Sequence, residues 1–265
     1  MRVLQLTSDW KWTGPAEPML KLGLGLRNRG HDVWLACPEA PDAEARSVAG
    51  EARLQGLPPS VEISLGRGAR WLGDRADVAN LARFIDEQRI DVVHAWHTRD
   101  HVMALRAARA TSEGRPAVIR SFRNAEPIPR TPWNRWLFGP RTDGLLCVSP
   151  ETARWNASLR RGEPIRGAFG AVDLERFRPS EDAEERAKVR ASLGLGEEDR
   201  VVGIVARVQP HRRFDLLLDA AKRTFEADPA ARLLVVGRGT RRRELAEEPA
   251  RQLGIDDRVI FAGYR

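Results

Sequence analysis

Apolar residues along this chain fall into short, β-branched runs that alternate with stretches whose apolar positions recur every three to four residues. These are the two periods of buried strand and amphipathic helix. The first run, Arg2 to Thr7, enters a loop over Ser8 to Pro18; a helix from about Ala16 to Asn28 is stopped by Gly30, and His31 to Ala36 is a second strand. Val61 to Leu65 reads as a third strand, and Val78, Leu81, Phe84 and Ile85 line a helix leading into a fourth, Ile90 to His94. The alternation continues through a helix at Val102 to Ala110, a strand at Ala117 to Phe122, a strand at Gly144 to Val148, a helix at Glu151 to Leu159 and a strand at Pro164 to Ala168.

Gly170 to Pro179 breaks the pattern, and Asp182 to Leu193 follows as a charged helix. Val201 to Ala206 is apolar enough for a buried strand, and a basic loop, Arg207 to Arg213, follows it. Phe214, Leu217, Leu218, Ala221 and Phe225 then mark one buried helix face. Leu233 to Val236 runs into Gly237-Arg238-Gly239 and another helix, and Val259 to Ala262 is the last strand. Apolar strands separated by helices specify parallel sheets in an α/β fold. We expect a first domain over residues 1–169, a linker and connecting helix over 170–199, and a second domain over 200–265. The second is expected to be incomplete, because three such strands need crossover helices on both faces and none remains after Ala262.

Composition changes this picture little. The net charge is +7, carried almost wholly by arginine, with Lys11, Lys21, Lys188 and Lys222 the only lysines. That balance attracts phosphate or anionic lipid, whereas no nucleic-acid recognition motif accompanies it. Cys37 and Cys147 stand alone inside apolar strands, without metal spacing, and read as buried thiols of a reducing compartment. The start Met1 to Leu6 does not have the form of a signal peptide, and no run reaches membrane-spanning length; a cytoplasmic protein, peripheral at most, is expected.

The chemistry gathers at the carboxyl ends of strands, where parallel sheets bind ligands. Gly14 and Pro15 follow the first strand, and His94, His97, Arg99, Asp100 and His101 cluster at the fourth. Arg123 follows the fifth. Asp100 serves either a ligand or the cap of its helix. Arg207, Arg212 and Arg238 stand beside a helix amino terminus, an arrangement that suits a diphosphate or simply solvates a loop. Pro127 to Arg141 interleaves Trp133, Trp136, Leu137 and Phe138 with Arg130, Arg135 and Arg141. Such a segment either lies on an anionic bilayer or packs Trp136 and Leu137 on the sheet with its arginines in water, and the second is the preferred reading.

Taken together, the Gly14 loop, Arg29-Gly30-His31-Asp32-Val33, Asp91-Val92-Val93-His94, Ala171-Val172-Asp173-Leu174-Glu175-Arg176-Phe177, Arg207-x4-Arg212 before Asp215-Leu216-Leu217-Leu218-Asp219-Ala220, Val235-Val236-Gly237 and Val259-Ile260-Phe261-Ala262-Gly263 resemble one family. It is that of the retaining GT-B glycosyltransferases (family 4, group 1), which includes sucrose synthases and lipopolysaccharide sugar transferases. The resemblance implies two Rossmann-like domains and transfer of a sugar from a nucleotide-diphosphate donor to a glycan, lipid or other cell-envelope acceptor, without metal or other cofactor. It maps catalysis to Arg207 and Arg212, and donor binding to Gly14, Pro15, Arg207, Arg212, Gly237 and Arg238. The acceptor side falls to His97, Arg99, Asp100, His101 and Arg123. Three departures stand out. Pro15 replaces the second glycine, Arg123 stands where a histidine is common, and the family's paired-glutamate segment does not occur. Weak transfer, or none, by these 265 residues alone is therefore expected. A non-catalytic binder of nucleotide sugars or polyanions, a remnant, an epimerase of the same fold and an inverting transferase are the other readings.

Overall fold

The computed structural model describes residues 1–42, 46–63, 71–124, 126–160, 162 and 164–265. The chain divides into two compact units, Met1–Val172 and Asp173–Arg265.

In the first unit, strands and helices alternate as β1 Arg2–Leu6, α1 Ala16–Arg27, β2 Asp32–Cys37, α2 Val48–Leu54, β3 Pro59–Glu62, α3 Trp71–Gln88, β4 Val92–Ala95, α4 Thr98–Ala110, β5 Ala117–Phe122, α5 Pro132–Phe138, β6 Gly144–Cys147, α6 Pro150–Asn156 and β7 Ile165–Gly167. The seven strands form one parallel sheet in the order β3-β2-β1-β4-β5-β6-β7. Order reverses beside β1, the switch point at which open α/β sheets receive ligands. Strand alternation divides the core between two faces. Leu4, Leu6, Val93 and Ala95 pack with α3 and α4 residues such as Leu81, Ile85 and Met103. Val3, Val33 and Leu35 pack with Met19 and Leu20 of α1, Ala49 and Ala52 of α2, and Trp96.

Two elements depart from the sequence reading. Helix α2 was not expected, because its seven residues are too few to show a period. Its signal is the cap, where the Ser47 side chain accepts a hydrogen bond from the Gly50 amide at 3.0 Å. Strand β3 begins two residues before Val61, and Leu65 lies outside the described residues. Cys37 and Cys147 are free, buried thiols, as expected, and burial pushes them up to about 12 and about 11.

The second unit contains α7 Ala183–Ser192, β8 Arg200–Val205, α8 Phe214–Ala227, β9 Ala231–Val236, α9 Glu248–Gln252 and β10 Val259–Gly263. Its parallel sheet has the order β10-β9-β8. Phe214, Leu218, Ala221 and Phe225 of α8 close over Leu233 and Val235 with Ala246 and Ala250. The buried face of α8 is the one its spacing predicts.

Strand β8 corrects the reading of Val201 to Ala206 as buried. Val202 is 55% and Val205 85% exposed. The reason is positional. In the first unit the order β3-β2-β1-β4 places a strand on both sides of β1, whereas among the described residues β8 pairs only with β9. Among the described residues no helix is long and apolar enough to cross a membrane.

Candidate functional site

In the second unit the carboxyl ends of β8, β9 and β10 are held together by backbone. The Val208 amide donates to the Arg238 carbonyl at 3.2 Å, and the Gly237 amide donates to Gly263 at 2.7 Å. Gly237 has φ +143°, and a Cβ there would lie 2.0 Å from the Ala206 carbonyl oxygen. At Gly239 it would lie 2.3 Å from the Val208 oxygen. Both glycines are thus required by the closeness of two loops, before any ligand is considered.

The basic loop turns through a short 3-10 segment, Pro210–Arg212, into α8. Arg213 caps that helix in the left-handed conformation, φ 51°, and supplies no side-chain hydrogen bond to the helix head. Its guanidinium pairs instead with Asp215 at 2.8 Å. Arg241, Arg242 and Arg243 are likewise paired, with Glu244, Glu247 and Glu248. Among the described residues Arg207, Arg212 and Arg238 have no carboxylate partner; Arg238 stacks over Tyr264 at 5.1 Å. An uncapped helix head and guanidiniums without carboxylate partners both favour an anion electrostatically.

In the first unit Gly14 and Pro15 stand at the head of α1, where Pro15 is the cap residue and gives no side-chain hydrogen bond. A Cβ on Gly14 would meet nothing within 4 Å, so the space above that helix end is open. The head of α4 is different. The Asp100 carboxylate accepts from the amides of Ser8 at 2.7 Å, Trp96 at 3.3 Å and His97 at 2.7 Å, and is fully buried. It joins the loop after β1 to the loop after β4 and fills the helix head with the chain's own charge, the capping alternative of the sequence reading.

Of the three histidines around the end of β4, His97 reaches the surface, its ring 32% exposed, with Nδ1 3.2 Å from both Thr7 Oγ1 and Asp100. His101 is inside. Thr142 Oγ1 donates to the Leu137 carbonyl, so His101 Nε2 carries the proton it shares with Thr142 at 2.7 Å. Its ring also packs on Phe138, 5.1 Å between centroids. His94 lies 2.8 Å from Ser121 Oγ and stacks beside Trp96. Burial first, and the charge of Arg120 second, depress both His94 and His101 to about 3. Asp100 and His101 therefore hold the site's frame and do not face an acceptor, while Arg99 is half-buried.

Arg123 lines a groove of about 280 Å³ on the α1 face of the sheet, together with Lys21, Arg29, Trp96, Ser121 and Phe169. Lys21 and Arg29 were missed by the sequence reading, which treated Arg29 as part of a helix stop. Arg120 was missed as well. It is 6% exposed, reaches the Ala95 carbonyl at 3.4 Å, and desolvation lowers it to about 10. A lone arginine inside Val118-Ile119-Arg120-Ser121-Phe122 was its signal. The preferred placement of Trp136 also needs correction. Leu137 and Phe138 are buried, but Trp136 is 41% exposed under the Arg141 guanidinium. Among the described residues no group of three metal-ligating side chains converges.

Comparison with known proteins gives a consistent assignment. Residues 15–176 match the family model Glycosyltransferase Family 4, and residues 185–265 match Glycosyl transferases group 1. A D-inositol 3-phosphate glycosyltransferase of Nocardia farcinica is 31% identical over 176 residues, 63% of this chain and 38% of that protein. The chain thus spans little more than a third of the length of that relative. Among solved structures, a glycosyltransferase from Rickettsia africae superposes with a TM-score of 0.82 at 14% identity, over 100% of this chain and 68% of that one. Anabaena HepE in complex with UDP gives 0.75 at 18% identity, over 100% and 70%.

Proposed function

Because the chain belongs to glycosyltransferase family 4, we propose that it acts in glycosyl transfer, with a nucleoside-diphosphate sugar held by the second unit and an acceptor received by the first. The observation that carries this reading is that Arg207 and Arg212, in the loop between β8 and the uncapped head of α8, have no carboxylate partner among the described residues, whereas Arg213, Arg241, Arg242 and Arg243 each pair with one. A diphosphate supplies the missing negative charge. The UDP bound to the Anabaena structure of the same fold supports a ligand of this class.

The chemistry follows from those charges. The bond between the sugar's anomeric carbon and the phosphate oxygen breaks, a bond to the acceptor oxygen forms, and the diphosphate departs with an added negative charge. Arg207 and Arg212 stabilise that charge as fixed cations, the part a divalent ion plays elsewhere. Attack from the side on which the diphosphate leaves preserves the anomeric configuration, and a phosphate oxygen there takes the acceptor's proton. In the first unit Arg123, Lys21 and Arg29 give the groove beside α1 a cationic rim, suited to a phosphorylated glycan or lipid. The exposed edge position of β8 favours slow turnover by these 265 residues alone.

Calorimetric titration with UDP and GDP tests the donor half. Both Arg207→Ala and Arg212→Ala should weaken binding by about tenfold to a hundredfold, the worth of one charged hydrogen bond, and Arg241→Ala should not. Absence of nucleoside-diphosphate binding, or equal weakening by all three substitutions, overturns the assignment.

A further inference from the structure

We propose that α5 and the segment leading into it form a docking surface for an anionic lipid bilayer. Trp133 and Trp136 are 56% and 41% exposed, with ring centroids 5.0 Å apart. Two neighbouring indoles facing water add apolar surface that folding does not use. Arg141 lies over the Trp136 ring at 3.8 Å, and Arg130 and Arg135 are exposed beside it. Residues 127–141 contain these three arginines and no Asp or Glu.

The patch is built rigidly. Leu137 and Phe138 are buried beneath it, and the Thr131 side chain caps α5 through the Asn134 amide at 3.2 Å. Asn134 Nδ2 donates to the Pro129 carbonyl at 2.8 Å, and the Ile128 amide donates to Asn156 at 2.9 Å. Tryptophan prefers the headgroup layer, where its ring is half in hydrocarbon and its N–H stays wet, and arginine adds attraction to lipid phosphate. The charge complementarity is one-sided, since no carboxylate of the segment opposes an anionic surface.

Phe138 of α5 packs on Phe122, the last residue of β5, with 6.5 Å between ring centroids, so a docked bilayer lies near the strand end whose other face carries the acceptor groove. This further step rests on the glycosyl-transfer reading and makes the acceptor lipid-linked.

Co-sedimentation of the full chain with phosphatidylglycerol and with phosphatidylcholine vesicles tests the surface. Binding to the first alone is expected. Trp133→Ser with Trp136→Ser, and separately Arg130→Ser with Arg135→Ser, should each reduce it by on the order of tenfold. Arg186→Ser with Arg223→Ser removes the same charge from exposed positions of the second unit and should leave it unchanged. Absence of binding to phosphatidylglycerol overturns the proposal, as does equal loss in the Arg186/Arg223 pair. Equal binding to soluble heparin that the tryptophan variant retains also overturns it, in favour of charge alone. UDP titration of the same samples separates the readings, because loss of vesicle binding with nucleotide binding intact refutes only the docking surface.

Discussion

At Gly237 and Gly14 the same residue type does opposite things. Gly237 has φ +143° and no room for a Cβ, whereas the Cβ of an alanine at 14 would meet nothing within 4 Å. Gly237→Ala should therefore cost about 3 kcal/mol or more by urea denaturation, through left-handed strain and displacement of the Ala206 carbonyl. Gly14→Ala should stay within about 0.5 kcal/mol, so that any loss of activity it causes reports on a ligand. Sequence reveals both as glycines after strands but not which is pressed by backbone, since that depends on a carbonyl some thirty positions away. Sequence marks Arg207 and Arg212 only as cations in a loop after an apolar strand; that they have no carboxylate partner among the described residues while Arg213 pairs with Asp215 depends on the fold. Asp100 was legible only as a choice between cap and ligand. Its position three residues after His97 fits a capping box, and the amides of Ser8 and His97 decide the choice.

Between elements, buried polar contacts join β4 to β5, and α4 to the loop before β6, beside the apolar packing. His94 on β4 bonds Ser121 on β5, and His101 on α4 bonds Thr142. Native His94 and His101 refuse protons down to about pH 3, whereas in the unfolded chain they take them up near 6.5. The unfolded state thus binds more protons below that value. Stability should be level above about pH 6.5 and fall toward pH 3, by about 1.4 kcal/mol per pH unit for each histidine. Urea midpoints at pH 7 and pH 5 check this, and His101→Gln should make the decline markedly shallower. A midpoint unchanged between the two pH values would show the rings to be solvated. The alternation of strands and helices was legible throughout because its periods survive any tertiary detail. Helix α2 was not, because its seven residues offer only the Ser47 cap as a signal.

Among the described residues, the buried apolar side chains of each unit gather in clusters of that unit's own. Two lie within Met1–Val172 and one within Asp173–Arg265. Differential scanning calorimetry should resolve two transitions, with the smaller second unit melting first. UDP at a hundredfold excess over its dissociation constant should raise that transition alone, by roughly 2.7 kcal/mol. A single transition that UDP moves as a whole would show the two cores to be energetically one. The parallel architecture was readable from sequence, but the environment of β8 was not. Its residues are as apolar as those of β1, and exposure is set by which strands are present as neighbours. That strand has a consequence for handling as well as for catalysis. Among the described residues it pairs only with β9, so its other edge presents amide hydrogens and carbonyl oxygens outside the ladder, flanked by exposed valines, which is a template for any extended chain. The most abundant such chain in a concentrated sample is another copy, so self-association through added strands, more than heat, should set the concentration at which this protein stays in solution.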